Sequence, residues 1–445
     1  MDEPQRKYLK LGSGVGLVAA NMIGAGVLLS TGFMAQSMGP FPILLAWVVG
    51  AVLALAGART YAAVAMLVPR SGGEYRYLSE LLHPSLGYVA GWASLLVGFS
   101  APVAVDALAA GAFAGTLGCP IDARWVGAAL VVALTALHVI GLKTSARAQN
   151  VLVLAKVVFV VAFVGIGIVA GSNHWPTWTP PARSDGFPVA AFVGSLFYIA
   201  FAFSGWNAAT YAAEEFQEPK RDVPRAMLIG CALVAVLYLA VNWIFVANLT
   251  PSDASAVFDY ESRRVTLGHV IVLRLLGPWA GRAMSAVVIL LFASAMSAMT
   301  FAGPRVYAAM AKDGFLPHAL AGAPGRPPVA SMLLQSALAL LIVFTHGLQQ
   351  ALNNVGALLT LFAALTAVGL FRARFAGKGR FDRPPVSSLL AAGLYTASAA
   401  YMLYFGFKDK GSTLLVWVAA VVAAAFVAYA VTRAVRARRA PAPGA

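Results

Sequence analysis

The chain has 445 residues, of which 60% are hydrophobic and only 11% are charged. Its apolar runs are repeatedly long enough to cross a hydrocarbon core of about 30 Å, so the composition excludes an ordinary soluble domain and predicts an all-α polytopic membrane protein. The formal net charge of +15 predicts no nucleic-acid partner, because lysine and arginine are concentrated in alternate loops, as in the positive-inside bias of membrane proteins.

Hydropathy predicts twelve transmembrane helices. The first six lie near residues 12–33, 41–68, 85–116, 124–141, 149–171 and 187–212, and the others near residues 225–248, 268–302, 329–346, 352–371, 387–405 and 413–433. The distribution of basic residues predicts a cytoplasmic N-terminal segment, 1–11, and a basic cytoplasmic tail, 434–445. Segment 1–11 is polar and no small-residue cleavage site follows it, so we expect no cleavable signal.

The first predicted helix contains the irregular stretch Asn21-Met22-Ile23-Gly24-Ala25-Gly26-Val27. Every backbone polar group in a bilayer must be bonded internally, and glycine weakens a helix, so we predict a break here. The half that ends would present carbonyl groups, and the half that begins would present N–H groups. Such a pair suits a zwitterion, of which an α-amino acid is the commonest.

A second irregular stretch, Phe201-Ala202-Phe203-Ser204-Gly205-Trp206-Asn207, lies in the sixth predicted helix. It has the same place in a second block of five helices that the first break has in the first block. Residues 12–171 and 187–371 are therefore predicted to be two repeats of inverted topology, with a binding site where the breaks meet, and residues 387–433 two peripheral helices. Alternatively, Gly205 only lets two helices pack closely.

Lys156 lies well inside the fifth predicted helix, where an ammonium group needs a partner. The expected partners are the carbonyl groups opened by the first break and the hydroxyls of Ser294 and Ser297 in the eighth predicted helix. The lysine would either brace the helices as a fixed charge or release a proton during a working cycle. A snorkelling lysine without a role is the third alternative.

Two other ionisable residues, Arg59 and Asp106, lie inside predicted helices and are candidates to pair with each other. Apart from Asp106, the sequence places no acidic residue deep in predicted helices one, three, six, eight or ten. A cationic side chain would find little there to neutralise it, so a neutral substrate is favoured.

The loops supply further expectations. Residues 69–77 form a turn and a short amphipathic stretch, which predicts an interfacial helix. Glu214 and Glu215 either belong to the segment that starts the seventh helix or form ion pairs with basic loops at the inner mouth.

The two cysteines, Cys119 and Cys231, are too few for a zinc cluster of cysteines or a disulfide scaffold.

Together these residues resemble the amino acid–polyamine–organocation (APC) superfamily, and within it the L-type amino acid transporter branch and its bacterial relatives. The resemblance covers most of the chain. It rests on residues 23–27 (IGAGV), residues 69–75 (PRSGGEY), Lys156, residues 205–207 (GWN), Glu214-Glu215 and residues 219–225. It implies a LeuT-type 5+5 inverted repeat with broken helices 1 and 6, two peripheral C-terminal helices and alternating-access transport of amino acids.

The resemblance also implies a substrate site. The substrate carboxylate would lie on the N–H groups of Ala25 and Gly26, and its amine would meet the carbonyls of Met22, Phe201 and Ser204. Phe201 would cover the site, and Asn207 would either contact the substrate or cap its own helix. Many family members have serine at the position of Ala25, so one hydroxyl contact is missing here. The implied substrate-binding residues are Met22, Ile23, Gly24, Ala25, Gly26, Phe201, Ala202, Ser204, Gly205 and Asn207.

In sodium-coupled relatives a Na⁺ ion occupies the space assigned here to Lys156, Ser294 and Ser297. The resemblance therefore implies that the lysine amine replaces the cation and that sodium is not required. Cys119 falls in the loop where L-type light chains carry the cysteine that links them to a glycoprotein. Its neighbours give no further support, so a covalent heavy-chain partner is not expected.

The sequence thus predicts a carrier of neutral L-amino acids in the plasma (inner) membrane, an exchanger in the first instance. A proton-coupled symporter and a carrier of cationic amino acids or polyamines are the alternatives. A polytopic enzyme is disfavoured, because the six histidines are scattered and form no visible set with a nucleophile, a base or a metal ligand. A sensor is also disfavoured, because it would normally add a soluble output domain and no loop or tail of this sequence is long enough for one. No cofactor and no metal are expected.

Overall fold

The computed structural model describes residues 9–140, 142–180, 186–250, 267–323, 326–345, 348–375, 382–409 and 412–439. Within these ranges the secondary structure is helical, apart from an isolated bridge between Leu9 and Phe216. Nine helical spans of the described chain are long and apolar enough to cross a membrane, and four shorter apolar helices accompany them. The architecture is that of a polytopic helical membrane protein, while the count of twelve spans stays a prediction.

In the first half of the chain, the described residues form eight α-helices. They are α1 (Leu11–Met22), α2 (Ala25–Met34), α3 (Pro40–Leu67), α4 (Gly73–Leu81), α5 (Pro84–Ala93), α6 (Ser100–Thr116), α7 (Ala123–Ile140) and α8 (Leu142–Ala170). A π-helical segment, Ser94–Phe99, joins α5 to α6 into one long span. The short helix α4 lies in the segment where the sequence predicts an interfacial helix.

In the second half, the described residues form eight more α-helices. They are α9 (Val189–Ala202), α10 (Pro219–Asn248), α11 (Leu267–Leu276), α12 (Pro278–Lys312), α13 (Val329–Thr345), α14 (Leu348–Phe375), α15 (Val386–Asp409) and α16 (Ser412–Arg439). Two 3₁₀-helices, Ala208–Glu215 and His318–Ala321, follow α9 and α12. Helix α16 runs into the predicted tail 434–445, whose last residues, like residues 1–8 of the predicted N-terminal segment, lie outside the described residues.

The sequence predicts a single eighth helix over 268–302, and this prediction is wrong, because the structure divides the stretch into two helices. The chain forms α11, turns at Gly277 and continues as α12 to Lys312. Gly277 has a φ of +86°, and Pro278 follows it at the first helical position. A positive φ ends a helix and proline is well suited to start one, so two local signals override the continuous hydropathy of the stretch.

Helices α1 and α2 lie in the interior of the molecule. Of the apolar window in Leu11–Met34, 88% is buried, more than in any other described span, whereas only 22% of Val151–Ala170 is buried. Helix α1 packs against α8, α10 and α12, and α2 packs against α9 and α11. The chain stretch with the predicted first break is therefore the element that the other helices surround.

Candidate functional site

The first interruption separates α1 from α2. Helix α1 ends at Met22, Ile23 is extended with φ −75° and ψ 95°, and Gly24 is extended with φ −142° and ψ −152° before α2 begins at Ala25. Among the described residues, no side chain caps the start of α2. The first N–H groups of α2 and the last carbonyl groups of α1 thus meet near one point, as the sequence predicts.

The second interruption follows α9. The helix ends at Ala202, a turn occupies residues 203–207, and the chain resumes as a 3₁₀-helix at Ala208. Gly205 has a φ of +98°, which an L-amino acid with a side chain rarely adopts. The amide of Ser204 donates to the Phe201 carbonyl at 2.9 Å, so one carbonyl predicted to receive the substrate amine already accepts a bond within the turn.

The two interruptions are in direct contact. A Cβ atom on Gly26 would lie 2.4 Å from the Cα atom of Ala202, and a Cβ atom on Gly205 would lie 2.7 Å from the Cβ atom of Asn21. A residue with a side chain does not fit at either position unless the neighbouring backbone moves. Glycine is therefore required here for close approach, and at Gly205 for the positive φ as well.

Tyr238 on α10 joins the two interruptions. Its buried hydroxyl lies 2.5 Å from the carbonyl oxygen of Met22 and 3.0 Å from that of Ala202. The ring packs against Trp47 and Phe203, with centroid distances of 5.7 and 5.0 Å. Sequence reasoning missed this residue; the available signal was a tyrosine one turn before Asn242 within an apolar helix.

Asn242 continues the polar contacts from Tyr238 toward α2 and α3. Its side-chain amide donates to the Tyr238 carbonyl at 2.8 Å, and the Thr31 hydroxyl bonds to its side-chain oxygen. Trp47 in turn donates to the Thr31 hydroxyl at 2.8 Å. A row of hydrogen bonds thus fixes α2 and α3 against the helix that carries Tyr238.

Lys156 on α8 reaches the first interruption. It is fully buried, and its Nζ atom donates to the carbonyl of Ala20 at 2.9 Å and to the carbonyl of Ile23. The predicted contact with carbonyl groups of the first break is present. Both carbonyls belong to the open end of α1, where a helix leaves its last carbonyls without intrahelical partners.

The two predicted hydroxyl partners of Lys156 are engaged differently. The Ser297 hydroxyl lies 2.8 Å from His138 Nε2, and the Ser294 hydroxyl has no hydrogen-bond partner among the described residues. A hydrogen bond from the lysine to Ser294 is therefore absent from the described contacts. The acceptors that the ammonium group does contact are the carbonyls of Ala20 and Ile23.

Glu74 on α4 is the centre of a second cluster of hydrogen-bonded side chains, apart from the contacts of Tyr238 and Lys156. Its Oε1 atom accepts from Tyr61 at 2.9 Å and from Asn207 at 2.5 Å, and its Oε2 atom accepts from Tyr211 at 2.9 Å. Asn207 therefore does not cap its own helix, since its amide donates to Glu74 and also to the Tyr211 hydroxyl at 2.8 Å. The cluster ties α4 to α3 and to the segment after α9.

Two ion pairs involve the segments that carry this second cluster. Glu215 accepts from Arg305 on α12, with 2.6 Å between Oε1 and Nε, and Arg76 on α4 lies 2.9 Å from Asp313. Of the two alternatives for the acidic pair after the sixth predicted helix, the ion pair is present at Glu215. Its partner lies on a helix, whereas the sequence predicts a basic loop.

Arg59 and Asp106 are in different surroundings. Arg59 donates to the Ser387 hydroxyl at 3.0 Å near the start of α15, whereas Asp106 on α6 is buried beside Gly24 of the first interruption. The structure thus separates the two residues that the sequence offers as a pair. No group of three or more His, Cys, Asp or Glu residues in the described chain is arranged to hold a metal ion.

Comparison with known proteins identifies the family. The family described as "Amino acid permease" matches residues 9–432, which is nearly the whole chain. The chain belongs to the amino acid permease family. This places it in the APC superfamily, whose members are transporters and not enzymes.

Individual relatives agree with the family. "Large neutral amino acids transporter small subunit 2" of Mus musculus is 26% identical over 416 residues, which cover 90% of this chain and 76% of the relative. The Homo sapiens protein of the same name has the same identity and coverage. "b(0,+)-type amino acid transporter 1" of Oryctolagus cuniculus is 26% identical over 397 residues, which cover 86% of this chain and 80% of that protein. The chain is thus a multi-pass membrane protein, and its sequence is similar to those of amino acid transporters of the L-type branch.

Proposed function

We propose that this chain is an alternating-access carrier of neutral L-amino acids that exchanges one amino acid for another without a need for sodium. Its spans would form a LeuT-type 5+5 inverted repeat followed by two peripheral helices. The observation that carries the proposal is the direct contact between two interrupted helices, Gly26 against Ala202 and Gly205 against Asn21, in the interior of a permease-family member.

The proposed substrate site lies at this contact. The substrate carboxylate binds the N–H groups of Ala25 and Gly26 at the start of α2, where the helix dipole is positive. The amine binds the free acceptor capacity of the carbonyls of Met22, Phe201 and Ser204, because a carbonyl oxygen has two lone pairs and can accept a second bond. Phe201 covers the bound substrate. The site needs some separation of the two interruptions, since they are in contact in this conformation.

Lys156 takes the place of a coupling cation in this proposal. Its bonds to the carbonyls of Ala20 and Ile23 are the type of contact that a bound cation would make at the end of a helix. Ser294 and Ser297 complete the proposed cation site from α12. A fixed positive charge at this place removes the need for sodium, and it holds the interrupted segment of α1 while the other helices move.

Location and assembly also belong to the proposal. We place the protein in the plasma (inner) membrane with both termini in the cytoplasm, on the distribution of basic residues. The names of two relatives contain the words "small subunit", which is the reason to test for a second chain. We nevertheless propose no covalent partner, because the residues around Cys119 give a disulfide-linked partner no further support.

Reconstituted vesicles test the function. Purified protein in proteoliposomes should take up labelled leucine or alanine faster when the same amino acid is enclosed inside, and replacing sodium by choline should leave the rate unchanged. Equal uptake into empty vesicles, driven by an inward proton gradient, would instead identify a proton-coupled symporter. Inhibition by arginine or by polyamines, but not by neutral amino acids, would identify the cationic alternative that Asp106 beside Gly24 allows.

A further inference from the structure

Asp106 is a buried carboxylate that the proposed substrate site does not use. It lies on α6 and is only 2% exposed. Its Oδ2 and Oδ1 atoms are 3.7 and 3.8 Å from the position that a Cβ atom on Gly24 would occupy. The carboxylate therefore faces the backbone of the first interruption from the side of α6.

Lys156 approaches the neighbouring part of the same backbone from α8. Its Nζ atom donates to the carbonyl of Ile23, the residue that directly precedes Gly24. The peptide unit between Ile23 and Gly24 thus has an ammonium group close to one end and a carboxylate close to the other. The carboxylate of Asp106 acts electrostatically on Lys156 and also on Tyr238, whose hydroxyl bonds to the Met22 carbonyl.

Among the acidic side chains of the described chain, Asp106 is the one available as a counter-charge for Lys156. Only two of them are buried there, Asp106 and Glu74. Glu74 accepts hydrogen bonds from Tyr61, Asn207 and Tyr211, and it belongs to the second cluster. A charged group inside a membrane protein is stable only when an opposite charge or many oriented dipoles compensate it.

We propose that Asp106 is the counter-ion of Lys156, and that the two charges clamp the Ile23–Gly24 peptide between them. Asp106 is a positioning residue in this arrangement. It holds the end of α1 and the beginning of α2 in register, and it cancels the charge of Lys156 beside the substrate amine.

The pair also defines the charge of the substrate, and this step rests on the proposed function. With both residues ionised, the surroundings of the interruption carry no net charge, so a zwitterion needs no further counter-ion. A carboxylate that is already compensated by Lys156 does not demand a cationic side chain. Asp106 thus supports a neutral amino acid as substrate, although as an uncompensated charge it would favour a cationic one.

A double-mutant cycle tests the pair. Asp106→Asn and Lys156→Met are made singly and together, and each protein is compared with the wild type by the Tm of the solubilised protein and by leucine counterflow. Removal of one partner leaves the other as an uncompensated buried charge, so each single variant should lose at least about tenfold in kcat/KM. In Asp106→Asn the loss should fall mainly on KM, because the free ammonium repels the substrate amine.

The double variant decides the outcome. It should have a higher Tm than either single variant, because no isolated buried charge remains. A double variant whose Tm is no higher than that of the less stable single variant overturns the pair, and so does one whose loss of Tm is the sum of the two single losses. Recovery of the double variant when neither single variant can be purified supports it.

Asp122→Asn is the matched control, because it removes an exposed carboxylate by the same substitution and should leave Tm and counterflow unchanged. The Tm cycle separates this inference from the proposed function. If the wild type transports no amino acid, the proposed function fails, while the non-additive Tm values still identify the ion pair.

Discussion

Gly205 packs against Asn21 so closely that a Cβ atom on the glycine would lie 2.7 Å from the Cβ atom and 2.8 Å from the carbonyl carbon of the asparagine. The two residues belong to the two interrupted segments. The irregular backbone of the second segment therefore packs directly against the end of α1 in this conformation.

Replacement of Gly205 by alanine should disrupt this contact. Alanine at a φ of +98° loses more than about 1 kcal/mol of stability from the backbone alone, and the overlap with Asn21 adds about 1–3 kcal/mol. We expect a marked fall in Tm and a loss of counterflow of about tenfold or more. Gly186→Ala is the matched control, since Gly186 has a φ of +84° and nothing within 4 Å. Equal effects of the two substitutions would contradict the proposed contact.

Tyr238→Phe should weaken the connection between the interruptions. The substitution removes a hydroxyl that bonds to the carbonyls of Met22 and Ala202 and leaves the ring in place. Loss of a buried hydrogen bond and exposure of its unsatisfied partners costs about 1–3 kcal/mol. We expect a lower Tm and slower exchange, measured by counterflow. Tyr401→Phe, at a position that is 48% exposed, should behave as the wild type.

Glu74→Gln should loosen α4. The carboxylate accepts three hydrogen bonds, from Tyr61, Asn207 and Tyr211, and an amide can supply only one acceptor oxygen to these donors. Amide hydrogens of α4 should therefore exchange faster in Glu74→Gln, as measured by hydrogen–deuterium exchange. Glu80→Gln removes a carboxylate from the exposed pair with Arg70 on the same segment and should leave the exchange rates unchanged. Unchanged exchange in both variants would mean that the cluster does not hold α4.

Glu215→Gln should destabilise the ion pair with Arg305. Only 7% of the arginine side chain and 22% of the glutamate side chain are exposed, and Arg305 also stacks on the Phe301 ring. Removal of one partner of a buried pair costs about 3–5 kcal/mol, and somewhat less is expected here because Glu215 is partly solvated. Thermal unfolding should show a clear fall in Tm. Glu218→Gln breaks an exposed pair with Arg221 and should give no measurable change.

The state of Cys119 tests for a covalently attached second chain. Cys119 is partly exposed and unpaired, whereas Cys231 is fully buried on α10. A maleimide reagent should therefore modify Cys119 in the native protein and spare Cys231. Protein extracted from its own membrane without reductant should migrate on a gel as it does with reductant. A heavier species that disappears on reduction and in Cys119→Ala would show a disulfide-linked partner.

Local chemistry made part of the site predictable. Glycine and asparagine in an apolar stretch weaken a helix wherever the helix is packed, so the interruptions at Ile23-Gly24 and after Ala202 follow from the sequence. A lysine deep in a span must find acceptors, and the opened end of α1 was the nearest source. The same reasoning failed at Gly277, where averaged hydropathy concealed a glycine with positive φ followed by proline.

The sequence by itself determined the membrane location, the helical class, the two interrupted segments and the family. Only the tertiary structure decided which side chains meet them: Tyr238 between the interruptions, Glu74 beneath Asn207, Arg305 on Glu215 and Asp106 beside Gly24. The reason is physical. Hydropathy and backbone propensity act over a few neighbouring residues. These contacts instead join residues separated by 90 positions at Glu215–Arg305, 133 at Glu74–Asn207 and 216 at Met22–Tyr238, and only the packing of whole helices brings them together.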